Sequence, residues 1–220
     1  MLVSFGNLID AAINRRVLLL HEALQQFPFE GFVESVPAYA SLAVFYDVPV
    51  VRSQALTTAV QFVKDYLHRS IEQLDAVHIT TTAIIRIPVC YDIVFGPDIH
   101  ELASIHQLSI DEVIKLHTAV TYRVYMIGFM PGFAYMGSVD QRIATPRKSQ
   151  PSKHVSAGSV GIAGAQTGIY PVDSPGGWQI IGKTAVKLFD LHKDIPCLFS
   201  PGDQVQFFAI DKNEYDAYVD

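Results

Sequence analysis

The sequence predicts two textures in succession, an α+β part over residues 1–82 and a mainly-β barrel over 83–220. Three observations lead there. Helical periods alternate with short β-branched segments as far as about residue 80. Past residue 84, Gly, Pro and aromatics crowd a long stretch in which no helix period survives. Half of the 220 residues are apolar, enough to bury a sizeable core.

Taken in order, LVSF (2–5) reads as a strand. From Asn7 the apolar positions Ile9, Ile13, Val17, Leu20, Leu24 and Phe27 recur at three- and four-residue steps, which predicts an amphipathic helix with Asn7 as its N-cap. Gly31 ends it. FVESV (32–36) and SLAVFYDV (41–48), with Pro37 at the corner, predict two adjacent strands. One helix is expected from about Arg52 to Arg69, since Leu56, Ala59, Val60, Val63, Tyr66 and Leu67 share a face. A strand near 76–80 would complete β-α-β-β-α-β, the ferredoxin-like split βαβ pattern. The boundary is expected between Asp75 and Ile87. Beyond it come the strand IIRIPV (84–89), short helices around GPDIHELASIHQ and SIDEVIKLHTAV, and β segments TYRVYMIGF, SVGIAG, GWQIIGKT and QVQFFAI between Gly and Pro turns. These predict a closed or nearly closed barrel.

A net charge of −6 without a basic run argues against a grip on nucleic acid, which needs clustered Lys and Arg. Cys90 and Cys197 lie far apart and form no C-x-x-C pair, so both read as small core residues of a reducing cytoplasm. Asp10, Asn14, Arg15 and Arg16 interrupt the apolar start, which predicts neither a signal peptide nor a membrane span. His100 and His106 are six apart, wrong for a one-face zinc pair, and no metal ligands are expected. Ser159 in AGSVG sits between strands, whereas a nucleophile elbow needs a strand-to-helix turn. GSVGIAG does not space its glycines as a dinucleotide fingerprint does, and no P-loop is present.

What remains is the segment 125–184. It gathers Phe129, Phe133, Tyr135, Tyr170 and the single tryptophan, Trp178, among glycines that let backbone approach a ligand closely. Arg147 and Lys183 are cations able to hold a carboxylate or phosphate, the first with a planar fork and the second as a point charge. Pro146 fixes the backbone beside Arg147, so the fork is expected to point toward the aromatics rather than to pair with Asp140 or Asp173. The same residues also suit a plain barrel wall. His117 closes a helix whose C-terminus favours its cationic form, as a cap or as an acid–base group.

GFMPGFAYMG, ATPR, AGSVGIAG, QTGIYP and SPGGWQIIGKT, in that order and spacing, resemble the KipI / PxpB family of 5-oxoprolinase subunits, also called allophanate hydrolase subunit 1. The likeness extends upstream through VPAYASLAVFYD, IPVCYD, FGPDIHELA and LSIDEVIKLHTAVTYRVY. It implies a ferredoxin-like N-terminal domain and a cyclophilin-like C-terminal barrel. It implies joint action with a KipA-like protein (the C component of 5-oxoprolinase) and, as 5-oxoprolinase, with a third, A component. ATP with Mg²⁺ would be the co-substrate, and no tightly bound cofactor is implied. On this resemblance His117, Arg147 and Lys183 are the expected catalytic residues. Phe129, Pro131, Phe133, Tyr135, Gln166, Tyr170, Gly176, Gly177 and Trp178 would bind substrate. Where the family tends to show an arginine and then a proline, this chain has Ser152 and Ser156, so Lys153 or His154 would stand in for the arginine. Two other readings share these motifs: a KipI-type inhibitor of a sensor histidine kinase, and a member of a urea- or allophanate-metabolising complex. In each the chain is not expected to be an enzyme alone.

Overall fold

Helix α1 (Ala11–Gln26) starts where Asp10, in extended backbone, accepts hydrogen bonds from the Ala12 and Ile13 amides. The cap is therefore Asp10 and not Asn7, and Ile9 lies outside the helix, partly exposed. In the computed structural model the described residues are 1–54, 57–74 and 83–219, and the chain divides into two compact units, Met1–Thr81 and Thr82–Asp220.

In the first unit β2 (Phe32–Pro37) and β3 (Ser41–Tyr46) pair antiparallel, and β1 (Leu2–Ser4) joins the far side of β3. The order is β1-β3-β2. The alternation of β3 turns Leu42 and Val44 into the core, where they meet Val17, Leu20 and Leu24 of α1. The single helix expected over Arg52–Arg69 is two, α2 (Val48–Gln54) and α3 (Ala59–Glu72). Thr58 is the reason on the C-terminal side: its hydroxyl accepts from the Gln61 amide and starts α3 afresh. The strand expected near 76–80 lies outside the described residues; the described part of this unit is a three-stranded antiparallel sheet with three helices.

The second unit is a closed seven-stranded barrel, ordered β11-β4-β12-β5-β6-β9-β8 with β8 returning to β11. Its strands are β4 (Ile84–Cys90), β5 (Thr121–Ile127), β6 (Ala134–Gly137), β8 (Ser159–Ala163), β9 (Gln166–Ile169), β11 (Gln179–Lys183) and β12 (Gln204–Ile210). A short hairpin-like pair, β7 (Ser152–Val155) with β10 (Ser174–Gly176), forms a separate sheet. Helices α4 (Ile99–Ile105) and α5 (Ile110–Thr118) precede β5, the latter with a capping box between Ser109 and Glu112. Val89, Val124, Met136, Val160, Ile162, Ile181 and Phe207 fill the interior. A further helix, α6 (Lys212–Val219), has no counterpart among the elements expected from the sequence; its Tyr215 packs on Phe95, ring centroids 4.4 Å apart. Among the described residues no helix is long and apolar enough to cross a membrane.

Candidate functional site

Period-2 alternation sorts the predicted site residues between the two faces of the barrel wall. On β9, Thr167 and Ile169 point inward, whereas Gly168, and Tyr170 just past the strand, belong to the outer side. On β6, Ala134 and Met136 point inward and Tyr135 outward. The outer face therefore carries an aromatic group centred on Phe133. Its ring lies 4.8 Å from Tyr135, 5.3 Å from Tyr170 and 5.4 Å from Trp178, centroid to centroid, all in edge-to-face geometry.

Glycine makes this packing possible. A side chain at Gly168 would stand 2.8 Å from the Ala134 carbonyl and 3.2–3.3 Å from the Phe133 and Trp178 rings. One at Gly176 would collide with the Tyr170 hydroxyl and stand 2.8 Å from its ring, whereas at Gly177 the nearest atom is 3.7 Å away. Of the two predicted glycines, then, close approach demands only Gly176. Phe133, Tyr170 and Trp178 are at most 4% exposed, so they form the floor beneath a surface and not the surface itself. Tyr135 is half-buried, and Phe129 stands out at 65% exposure with φ of 71°, a left-handed conformation costly for a bulky residue. Pro131 is exposed beside it, and Gln166 opens β9 opposite Gly137.

Arg147 is exposed and its guanidinium carbon lies 6.0 Å from the Trp178 ring centre. Among the described residues no carboxylate forms an ion pair with it: Asp140 is taken by Arg142 at 2.7 Å, and Asp173 accepts from the Ala157 amide. Burial pushes the Tyr135 and Tyr170 hydroxyls up from their ordinary pKa, and the Arg147 charge opposes the shift at both. Both phenols thus stay neutral donors next to an unpaired cation. Arg147 lines an open cleft of about 480 Å³ with Glu101, Thr145, Lys148, Gln150 and Gln179, within the range of small-molecule sites.

Two residues that organise this cleft escaped the sequence reading. Lys148 bridges Asp98 at 2.7 Å, and Asp98, 8% exposed, also accepts from the Ile180 amide at 2.6 Å. Lys148 donates its own amide to the Gly177 carbonyl, while Gln179 donates its side-chain amide to the Pro146 carbonyl. Together these fix the loop that carries Arg147 against β11. The adjacency of Lys148 to Arg147 in ATPRK was the only available signal; the partner, some fifty positions upstream, leaves no local trace.

The expected catalytic trio does not assemble. Lys183 borders a different cavity, its ammonium 5.9 Å from the Phe95 ring. His117 is wholly buried inside the barrel, stacked on Phe207 at 4.7 Å. Its expected cationic state is overturned: burial lowers its pKa from 6.5 to about 3. Desolvating a cationic ring costs several kcal/mol, more than the roughly 2 kcal/mol at most that a helix C-terminus returns. Thr167 gives its hydroxyl proton to the Gly161 carbonyl, so it accepts from Nε2–H of His117 at 3.0 Å; Nδ1 then accepts from the Tyr91 hydroxyl at 2.7 Å. A ring with both nitrogens engaged and no exposed surface has no proton to exchange with a ligand outside the barrel. Ser159 is buried at the head of β8, with strands and no helix around it. Among the described residues no group of three or more His, Cys, Asp or Glu could hold a metal ion.

Known proteins share this architecture. Residues 1–199 match the family described as carboxyltransferase domain, subdomain C and D; β12, which closes the barrel, lies beyond the match. The chain is 43% identical to the 5-oxoprolinase B component of Bacillus subtilis, over 99% of this chain and 92% of that one. It resembles the conserved uncharacterized protein PH0987 from Pyrococcus horikoshii, at 45% identity, 97% and 95% coverage, and a TM-score of 0.59. It also resembles TTHA0988, at 37% identity and a TM-score of 0.83 over 96% of this chain, while spanning only 40% of that longer one. Sequence motifs, closed barrel and relatives agree, and the chain belongs to the PxpB family, the B components of 5-oxoprolinase, whose unit is the carboxyltransferase domain, subdomains C and D.

Proposed function

We propose that this chain is one subunit of an ATP-dependent 5-oxoprolinase, which opens the lactam of 5-oxo-L-proline to L-glutamate while ATP and water give ADP and phosphate. A KipA-like protein and a third component complete the assembly. The observation that carries this reading is likeness over 99% and 90% of this chain to proteins named as the B component of 5-oxoprolinase, at 43% and 39% identity.

A five-membered lactam resists hydrolysis, so phosphoryl transfer supplies the drive, and the protein neutralises charge that develops on phosphoryl and amide oxygens. Arg147 suits that work: its fork is unpaired and exposed at a cleft of substrate size, and the aromatic floor fixes the direction from which it acts. The Tyr135 phenol, held neutral by burial, packs against Phe133 and Trp178. Lys148 and Asp98 hold the loop in place, and Phe129, exposed, packs edge-to-face on Phe133 of the aromatic group. ATP with Mg²⁺ is the co-substrate of the assembled complex.

Phosphate release dependent on 5-oxoproline, measured for the chain alone and with co-expressed partners, tests the reading. Turnover is expected only in the complex. Robust turnover by the lone chain would overturn its assignment as one part of a larger enzyme, and a complex inert toward 5-oxoproline would overturn the substrate.

A further inference from the structure

Lys148 stands between two concavities. On one side is the Arg147 cleft. On the other is a cavity of about 170 Å³ bordered by Lys148, Ser152, His154, Ser156, Ser159 and Lys183, with Phe95 and Ile180 as apolar walls. Among the described residues no carboxylate lines it. Two lysines, an imidazole and three hydroxyls thus converge on a space with an excess of donors. Lys148 Nζ lies 3.4 Å from the Ser152 hydroxyl, and His154 Nε2 lies 3.4 Å from that of Ser156. The nearby carboxylates are outside the lining: Asp98 is engaged by Lys148, and Asp173 lies 3.9 Å from His154. Among the described residues Lys183 forms no ion pair.

The cavity has room for a small anion. Water takes roughly 30 Å³ in the liquid, so the cavity equals about five or six waters. A tetrahedral oxyanion, four water-sized oxygens about one centre, fits with a little solvent, and the donors around the space choose the ligand. Ammonium groups and hydroxyls, with no planar guanidinium fork among them, suit a tetrahedral anion.

We propose that this cavity is a second anion site, distinct from the Arg147 cleft, and that it receives a phosphate group. The proposal deepens the reading of the chain as part of an ATP-hydrolysing assembly and rests on it: Arg147 and Lys183, paired in one site by the sequence, serve two anionic groups on either side of Lys148. Free phosphate and the terminal phosphoryl of a nucleotide share the chemistry, and inorganic phosphate is the probe.

Phosphate is titrated into the isotopically labelled full chain and followed by ¹H–¹⁵N NMR. Saturable shifts are expected at the amides of Ser156, Gly158, Ser159 and Lys183. Lys183→Gln should weaken them about tenfold or more, the loss of one charge-assisted hydrogen bond, whereas the surface substitution Lys187→Gln should leave them unchanged. If Lys183→Gln does not fold, as its spectrum would show at once, the double substitution Ser152→Ala with His154→Gln takes its place. Shifts confined to Thr145–Lys148, shifts indifferent to the cavity substitutions, or none at tens of millimolar phosphate would overturn the proposal. No turnover is needed, so a complex inactive toward 5-oxoproline would sink the substrate assignment while leaving this result intact.

Discussion

The inner and outer faces of the barrel treat polar groups in opposite ways. Inside, His117 is sealed, neutral and doubly hydrogen-bonded, tied to Tyr91, Thr167 and, through its carbonyl, the Tyr122 hydroxyl at 2.9 Å. Outside, Arg147 is exposed and unpaired above a floor of buried rings. A satisfied polar network specifies a core, whereas an unsatisfied cation over a rigid floor is free to meet a ligand. Polar residues of one motif-rich sequence thus divide into scaffold and site, His117 carried inward at the end of α5 and Arg147 outward on a loop.

Removing the inner network should have the largest effect. His117→Ala leaves the Tyr91 and Thr167 hydroxyls short of a partner and opens a void, and should destabilise the barrel by about 3 kcal/mol or more in urea unfolding. Retained stability with lost turnover would reverse the comparison and return His117 to the chemistry.

On the outer face two neighbouring glycines separate cleanly. Gly176→Ala pushes a methyl into the buried Tyr170 ring and should cost about 1–3 kcal/mol, while Gly177→Ala should stay within about 0.5 kcal/mol. Equal melting temperatures for the two would mean that the aromatic floor is loosely packed.

Acid sharpens the contrast. The unfolded His117 takes a proton below about pH 6.5, whereas the folded ring resists until about 3. Its contribution to stability is therefore complete above pH 6.5 and falls by about 1.4 kcal/mol per pH unit through that window. His117→Asn should flatten this part of the profile, seen as a smaller difference between unfolding midpoints at pH 7 and pH 5.5.

Arg147→Lys should have the smallest effect on stability, unmeasurable by thermal unfolding. In the reconstituted complex it should nevertheless lower kcat/KM for 5-oxoproline about tenfold or more, because the charge remains and the fork is gone. Unchanged kinetics with the complex intact would remove Arg147 from the site.

Local signals were legible and long-range ones were not. The strands FVESV and SLAVFYDV, the short helix in SIDEVIKLHTAV and the barrel strands between Gly and Pro turns follow from chemistry within a few residues. Thr58 was equally visible as a cap, but the apolar stripe running past it suggested one helix where there are two. Asn7 and Asp10 are both competent caps, and only the backbone distinguishes them. The residues that the sequence gathers into one site share a chemistry of rings and cations, yet which face of the wall each occupies depends on strand register and on where α5 ends. That is how His117 went inside and Lys183 to a neighbouring cavity. The bridge from Lys148 to Asp98 exists only once β11 lies against the turn before α4.

Strand β12 has a consequence for synthesis. It runs parallel to β4, Gln204 opposite Ile84 and Ile210 opposite Cys90, and antiparallel to β5 on its other side. Of the seven barrel strands it is the last to leave the ribosome, yet it fills the gap between the two that leave first. Until residues 204–210 emerge, β4 and β5 expose adhesive backbone edges, and closing the ring joins segments separated by more than half the chain. Nascent chains should therefore be vulnerable to mispairing during translation, and edge-shielding chaperones would act on the stage before β12 inserts.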